Sequence, residues 1–204
     1  HGRQDEFTPR GRRQGGDGAL AFDLMETLER HLAALCRPAA LEDVTRAAAV
    51  LAAAGRVHVL GYRSSYTVAC HFAYVYGLAG GAVRLLDAPG GTGPDALREA
   101  GQGDALLAVS VKPYTRAAVE LADYALARGL DVVAITDSVV SPLVARARVA
   151  IIVPTESPSF FHTMAPAFAV AEALAAILAA TAGEGALAAV RAMERQFRAL
   201  STHI

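Results

Sequence analysis

Two hydroxyl groups and an ammonium group follow one apolar segment of this chain at short spacing. The run Ala105–Val109 ends at Ser110, Lys112 comes two residues later, and Thr115 opens a helical pattern that ends at Gly129. Hydroxyls, a cation and the unpaired N–H groups of a helix N-terminus are the groups that bind a phosphate or another oxyanion. The spacing therefore predicts the anion-binding end of a small-molecule pocket.

Lys112 strengthens the prediction of an anion-binding site beyond what the two hydroxyl groups alone would support. An ammonium group about 4 Å from a phosphate oxygen contributes roughly 4 kcal/mol at an effective dielectric constant near 20, before desolvation costs. Pro113 stiffens the loop, and Thr115 can cap the following helix while it also contacts a ligand. The alternative is a solvated surface lysine beside an ordinary helix cap. Tyr114, which lies inside this loop, is also assigned to the predicted pocket.

A second candidate loop follows the apolar run at Val57–Leu60. Gly61 allows a tight turn there, and Arg63, Ser64 and Ser65 come directly after it, ahead of a helical pattern. Serine hydroxyls and the exposed N–H groups of the next helix would face a ligand. We assign these four residues to the pocket, with simple helix capping by serine as the alternative.

Later loops complete the candidate set. Thr136 and Ser138 follow the fourth apolar run, and the intervening Asp137 is expected near sugar hydroxyls or in a turn, because it would repel a phosphate. His162 lies behind the fifth run, in a segment that could line this pocket or that of a partner subunit. The glycine-rich segment 87–95 lacks the dinucleotide and Walker patterns, so a flexible loop at the pocket rim is expected.

Short apolar runs alternate with helical patterns over most of the chain, which predicts a parallel sheet covered on both faces. The expected fold class is α/β, a doubly wound five-stranded parallel sheet with an N-terminal helical hairpin and a C-terminal helix. Loops at the carboxyl ends of such strands meet at one edge of the sheet. The predicted strands are Val57–Leu60, Val83–Leu86, Ala105–Ser110, Val132–Thr136 and Ala150–Val153, and the predicted helices are Ser65–Leu78, Pro94–Ala100, Arg116–Arg128, Phe161–Ala180 and about Leu187–Leu200.

Three segments are expected along the chain. Residues 1–18 mix charge and glycine without periodicity, which predicts a flexible leader or an added tail, with a DNA-binding basic arm as the alternative. Residues 19–54 are predicted to form the helical hairpin, with helices over Leu20–Cys36 and Leu41–Ala54. Residues 55–204 are predicted to form the ligand-binding domain and its C-terminal helix.

Composition excludes several classes of protein. A chain of 204 residues with 53% hydrophobic residues is long enough for one substantial core and is not globally disordered. A formal net charge of -1 gives no general attraction to nucleic acid or anionic membrane. Cys36 and Cys70 cannot form a disulfide framework, so a cytoplasmic location is expected. No apolar run approaches the roughly 20 residues of a membrane span, and neither a membrane partner nor a metal or cofactor is expected.

The ordered loops of this sequence resemble the sugar isomerase (SIS) domain, specifically the ligand-binding half of MurR/RpiR-type bacterial transcriptional regulators. The resemblance covers about Gly55 to Ala180 and implies the SIS fold, a sugar phosphate or related anionic metabolite as ligand, and a homo-oligomer, either dimer or tetramer. It is carried by Gly61–Ser65, Ser110–Thr115, Val133–Thr136, Ser141–Leu143 and Ile152–Pro154.

Two loops depart from the pattern of that family. Its first loop commonly reads Gly-x-Gly-x-Ser, so Ser65 matches the pocket serine and Arg63 replaces the second glycine. Its phosphate loop commonly reads Ser-x-Ser-Gly-x-Thr, so Ser110 and Thr115 match, while Lys112-Pro113 replaces the inner Ser-Gly. A cation in place of a hydroxyl suggests a differently arranged anionic ligand, or a carboxylate, in place of the usual sugar phosphate.

The resemblance implies a ligand-binding and dimerising domain of a regulator, with DNA bound only through a helix-turn-helix domain that does not fit ahead of Leu20 in this chain. The apolar stripes that begin at Leu20 and Leu187 are candidates for the subunit contact, with packing inside one chain as the alternative. The alternative function is a sugar-phosphate aldose–ketose isomerase, which needs a carboxylate base and often a ring-opening group. For that alternative, Glu156 is the candidate base and His162 or His71 the candidate ring-opening group. For the regulator, no catalytic residue is expected.

Overall fold

Five parallel strands form the centre of the structure, a computed structural model that describes residues 16–87 and 92–201. The strands are β1 (Val57–Gly61), β2 (Val83–Leu85), β3 (Ala105–Val109), β4 (Asp131–Thr136) and β5 (Val149–Ile152). The helices are α1 (Gly16–Leu35), α2 (Pro38–Ala52), α3 (Ser64–Leu78), α4 (Arg116–Ala127), α5 (Ala165–Ala182) and α6 (Glu184–Ala199), with short 3₁₀ helices at Gly93–Arg98 and Val144–Arg146.

The strand order places a switch point between β1 and β3. The strands pair in the order β2-β1-β3-β4-β5, and every neighbouring pair is parallel. After β1 the chain passes through α3 on one face of the sheet, and after β3 it passes through α4 on the other face. Ligands of doubly wound sheets bind outside the carboxyl ends of the strands at such a point.

Alternate strand residues divide the core between the two faces of the sheet. Val59, Leu107 and Ile135 pack in the cluster that includes α2, α3 and α5. Leu106 and Val132 pack in the cluster that includes α4 and the first 3₁₀ helix. Both faces of the sheet are covered and its strands are mainly apolar, so the predicted fold class is confirmed.

Several predicted boundaries differ from the structure at helix starts. α2 begins at Pro38 and not at Leu41, because proline suits the first turn of a helix, where no N–H bond is required. The predicted helix Phe161–Ala180 begins only at Ala165, since the Thr163 N–H donates to the Thr155 carbonyl at 3.0 Å and keeps this segment in the loop.

The predicted helix Pro94–Ala100 is a 3₁₀ helix over Gly93–Arg98. The Asp95 N–H donates to the Thr92 carbonyl at 3.0 Å, which is the i to i+3 bond of 3₁₀ winding. The predicted rim loop that precedes it falls in part on residues 88–91, outside the described ranges.

α1 extends further towards the N-terminus than the sequence indicates. It begins at Gly16, so residues 16–18 of the predicted leader are helical, and residues 1–15 lie outside the described ranges. The helix buries Thr27 and His31, whereas much of its apolar stripe stays exposed. Packing among the described residues therefore does not cover that stripe, whose exposed members are Leu20, Phe22, Met25 and Leu32.

α5 corrects the expectation that no apolar segment reaches the length of a membrane span. Its 18 residues have a mean hydropathy of 1.7, which is enough by length and composition to cross a membrane. Its buried face, which includes Val170, Leu174 and Leu178, packs in the cluster that also contains α2, α3 and the sheet. This is the environment of a core helix of a globular domain, which has the same apolar composition as a membrane span.

A fully buried histidine lies on β1. The Nε2 atom of His58 is 3.7 Å from Asp104 Oδ2, which is too long for a hydrogen bond, and neither ring nitrogen has a hydrogen-bond partner among the described residues. Burial lowers the pKa of His58, Asp104 opposes that effect, and Arg56 and Arg84 add to it. The folded state therefore favours the neutral ring.

Gly61→Ala is predicted to destabilise the fold. An added Cβ would lie 2.5 Å from the Ser65 carbonyl oxygen and 2.9 Å from Ala69 Cβ, so α3 would have to move. We expect the free energy of unfolding to fall by about 1–3 kcal/mol in urea denaturation. Gly101→Ala is the matched control, because its Cβ would meet nothing within 4 Å. Equal losses in the two variants would contradict the steric explanation.

His58→Leu is predicted to flatten the pH dependence of stability. The unfolded chain binds a proton at this histidine below about pH 6.5, whereas the folded state, with its lowered pKa, resists protonation. The contribution of His58 is thus present above that pH and lost as the pH falls. Urea denaturation at pH 8 and pH 5 should show a smaller loss of stability in the variant than in the wild type. Parallel losses would show that His58 does not titrate in this interval.

Candidate functional site

A cleft of about 250 Å³ opens where the loops after β1 and β3 meet. It lies at the carboxyl ends of these strands, which is the predicted edge of the sheet. Most of the predicted site residues come together there, joined by three that the sequence analysis did not assign to the site. The predicted members are Arg63, Ser64, Ser65, Ser110, Lys112, Thr115 and His162, and the additional ones are Tyr62, Val111 and Pro113.

Three hydroxyl groups of the cleft make no hydrogen bond to the part of the protein that the structure describes. Ser65 and Ser110 are only 3% and 4% exposed, and Thr115 is half-buried. Within the described residues, no hydrogen bond joins any of these hydroxyls to another protein group. Thr115 occupies the N-cap position of α4 and Arg63 that of α3, and neither makes a side-chain cap bond. Helix capping therefore does not account for these hydroxyls, and they are available to a ligand.

Ser64 links α3 to the loop that follows β5. Its Oγ atom lies 2.9 Å from His162 Nε2, and this hydrogen bond joins residues 98 positions apart in the chain. It brings the imidazole of His162 to the cleft of its own chain. The sequence indicated His162 only through its residue type and its position behind the fifth strand.

Thr136 lies behind the cleft and holds the loop that follows β3 in place. It is fully buried, its hydroxyl donates to the Ser110 carbonyl at 2.7 Å, and its Oγ1 atom also lies 2.7 Å from Ser141 Oγ. One threonine thus ties the end of β3 to the loop after β4. It is a positioning residue, and it is not part of the cleft lining.

Asp137 makes a second connection between the same two loops. Its Oδ2 atom accepts a hydrogen bond from the Lys112 N–H at 3.3 Å. Burial raises the pKa of Tyr114, and the neighbouring Asp137 raises it further. Tyr114, which the sequence analysis assigned to the pocket, is not among the residues that line the cleft.

Two other predicted site residues also lie outside the lining. The Ser138 hydroxyl accepts a hydrogen bond from the Val140 N–H at 3.3 Å and so stabilises its own turn. Gly61 has a steric role, since its hydrogen atoms allow α3 to approach the end of β1. The sequence analysis assigned both residues to the pocket, and the structure places them near this edge of the sheet but outside the lining.

Arg63 has an unusual backbone conformation. Its φ of 55° and ψ of -127° fall in a region that residues with a Cβ rarely adopt. Such a conformation costs of order 1–3 kcal/mol and persists only where the surrounding structure enforces it. The sequence identified Arg63 as a replacement for glycine, and the structure shows that the backbone at this position keeps a conformation typical of glycine.

The lining of the cleft is basic. Arg63, Lys112 and His162 contribute to it, and among the described lining residues there is no aspartate or glutamate. Basic side chains in a cleft raise the local concentration of anions. Nor do the described residues contain any group of three His, Cys, Asp or Glu side chains that could hold a metal ion.

The other candidates for isomerase chemistry lie elsewhere. The Glu156 side chain is 84% exposed, and its Oε2 atom is 3.7 Å from Nε2 of His31 on α1. The Nε2 atom of His71 lies 3.2 Å from Glu172 Oε1, and its ring packs on Phe168 of α5. Of the three predicted groups, only His162 reaches the cleft.

A larger groove of about 460 Å³ lies on the outer face, between α4 and the first 3₁₀ helix. It shares Tyr62 with the cleft, and its charged residues are of both signs, namely Asp95, Arg98 and Glu120. None of the predicted site residues lines this groove. Its greater volume does not make it the candidate site, because the convergent hydroxyls and cations are in the cleft.

A family model described as SIS domain matches residues 50–181, which is more than half of the chain. Among solved structures, the sugar isomerase domain of an RpiR transcription factor from Sphaerobacter thermophilus superposes with a TM-score of 0.73. It is 27% identical, and the match covers 87% of this chain and 95% of that one. No curated protein sequence matches this chain.

Two more distant structures share the fold. The Vibrio vulnificus NanR protein, solved in complex with ManNAc-6P, is 21% identical with a TM-score of 0.70, over 92% of this chain and 71% of that one. Phosphoheptose isomerase GmhA from Neisseria gonorrhoeae is 18% identical with a TM-score of 0.61, over 79% of this chain and 94% of that one. The fold is thus found in a sugar-phosphate-bound protein and in an enzyme.

Thr136→Val is predicted to destabilise the loop that follows β3. The variant keeps the shape of the side chain but leaves the buried Ser110 carbonyl without its donor, which costs about 1–3 kcal/mol. Urea denaturation should show this loss, and Thr136→Ser should restore most of it. Thr45→Val is the control, since the Thr45 hydroxyl bonds to Leu41 on an exposed helix surface. A neutral Thr136→Val would contradict the role of the hydroxyl.

Proposed function

This chain belongs to the SIS domain family, and we propose that it is the effector-binding domain of a bacterial transcriptional regulator. Its ligand is a phosphorylated sugar or a related anionic metabolite. The likeness to the RpiR transcription factor domain, over 95% of that chain, supports the regulatory role. The complex of NanR with ManNAc-6P supports the ligand class.

One observation carries the proposal: hydroxyls that have no hydrogen-bond partner among the described residues share a cleft with basic side chains. Ser110 and Thr115 offer hydroxyls, Lys112 offers positive charge, and α4 begins directly behind them. The first N–H groups of a helix have no partner within it, and they favour an anion. A phosphate monoester satisfies all of these groups at once.

Binding without turnover is the function that the cleft supports best. An aldose–ketose isomerase moves a proton between adjacent carbons and needs a base for that step. In the described part of the chain, no carboxylate lines the cleft, and Glu156 faces α1. Among the described residues, the Ser64–His162 pair favours the alternative, an isomerase that uses His162 as a ring-opening group.

Oligomerisation and DNA binding belong to the same proposal. Exposed apolar side chains on α1 and α6, among them Phe22, Met25 and Leu187, offer surface for a second copy of this chain. DNA contact is assigned to a helix-turn-helix domain of the complete regulator. A regulator of this kind acts in the cytoplasm.

Ligand binding is predicted to stabilise the wild-type chain and to fail when the α4 end of the cleft is altered. A sugar phosphate at about 100 times its Kd stabilises a domain by about 2.7 kcal/mol, which raises Tm by roughly 5–10 °C at this chain length. In a thermal-shift screen of sugar phosphates and sugar acids, Ser110→Ala and Lys112→Ala should each abolish the shift. Ser138→Ala, outside the lining, should keep it.

Shifts that persist in both cleft variants would contradict this placement of the anion. The ligands that give the largest shifts should then be incubated with the wild-type chain and followed by NMR. Conversion of an aldose phosphate to its ketose, lost in His162→Ala, would favour the isomerase over the regulator.

A further inference from the structure

Two helix N-termini open onto the cleft, and each carries a basic side chain and a hydroxyl that bonds to none of the described residues. The α4 end follows the loop that holds Ser110 and Lys112. The α3 end begins at Ser64, directly after Arg63, and places Ser65 in the cleft. Since the first turn of each helix favours negative charge, the cleft contains two places for an anionic group.

At the α3 end, the side chains also favour ligand binding, in addition to the helix N-terminus. Ser65 is 3% exposed, and its hydroxyl has no partner among the described residues. Elsewhere on the surface, Arg146 pairs with Asp123 at 2.6 Å and Arg148 with Asp131 at 2.7 Å. No described carboxylate pairs with Arg63, although its side chain lines the cleft.

The backbone of Arg63 supports the same conclusion. Its φ of 55° is a conformation that glycine adopts with much less strain than arginine. An observed backbone outlier at a ligand-facing position is grounds for a functional hypothesis, since such strain is concentrated at binding and catalytic sites. The gain that offsets the strain would then come from the guanidinium group.

We propose that the α3 end of the cleft is a carboxylate subsite, in which Arg63 selects a ligand that is both a phosphate ester and a carboxylic acid. The ligand class is a phosphorylated sugar acid. This inference rests on the proposed function, because the α4 end already takes the phosphate. A planar guanidinium binds a carboxylate through two parallel N–H···O bonds, and the Ser65 hydroxyl donates a third.

The test compares acids with alcohols of the same carbon chain. Phosphorylated aldonic acids of three to six carbons, from 3-phosphoglycerate to 6-phosphogluconate, are titrated calorimetrically against the matched alditol phosphates, from glycerol 3-phosphate to glucitol 6-phosphate. Each pair differs only by a carboxylate in place of a hydroxymethyl group. In the wild type, at least one acid should bind about 10-fold or more tightly than its alditol partner, as expected for a charge-assisted bidentate pair.

Arg63→Gly should remove this preference and leave the affinity for the alditol phosphate within about 3-fold of the wild type. The ligand-free variant should also have a higher Tm, because glycine relieves the strained backbone. Arg63→Lys keeps the charge but loses the planar fork, so its preference should be intermediate. Arg191→Ala on α6 removes an exposed charge outside the cleft and should change neither affinity.

Different failures have different meanings. If acids and alditols bind the wild type equally, the carboxylate subsite is overturned while the proposed sensing of a phosphate ester stands. If Arg63→Gly weakens both ligands of a pair equally, Arg63 holds the phosphate and the inference is again overturned. If no phosphorylated compound binds, the inference fails, and if the sugar acids of the thermal-shift screen also give no shift, the proposed function fails with it.

Discussion

The parallel pairing of β1 with β3 is the constraint on which the rest of the structure depends. Residues Val57 to Gly61 pair in register with Ala105 to Val109, so the two strands end side by side. The helices that follow them leave to opposite faces of the sheet, and a cleft remains between their first turns. Hydroxyls and cations that are far apart in sequence meet there because hydrogen bonding of the sheet brings their strands together.

Most of the fold could be predicted because both sides of the sheet are buried. The strands are mainly apolar, with His58 in β1 and Arg84 in β2 as the polar residues inside a strand, and they alternate with helical patterns along the chain. The predicted strand limits differ from the structure by at most one residue, as at β5, which begins at Val149. The predicted loops therefore lie at the correct edge of the sheet, and seven of the named site residues line one cleft.

Side-chain direction within those loops could not be predicted from residue type. Thr136 and Ser110 are both hydroxyl residues at strand ends, yet one bonds to the backbone of the other, and only Ser110 lines the cleft. The backbone conformation of Arg63 could not be predicted either, because arginine rarely adopts a positive φ. At this position the surrounding structure enforces a conformation that glycine adopts more readily. Such features depend on the packing of neighbouring loops, which a local sequence pattern does not contain.

The position of α2 has a practical consequence for any fragment made from this chain. Val44, Ala48 and Leu51 belong to the same buried cluster as the sheet and α5, so the second helix of the hairpin is part of the folding unit. A fragment that began at Gly55, where the sequence alone separates the hairpin from the domain, would expose one side of α5 and the sheet to water. Recombinant boundaries that preserve the core therefore fall before Pro38.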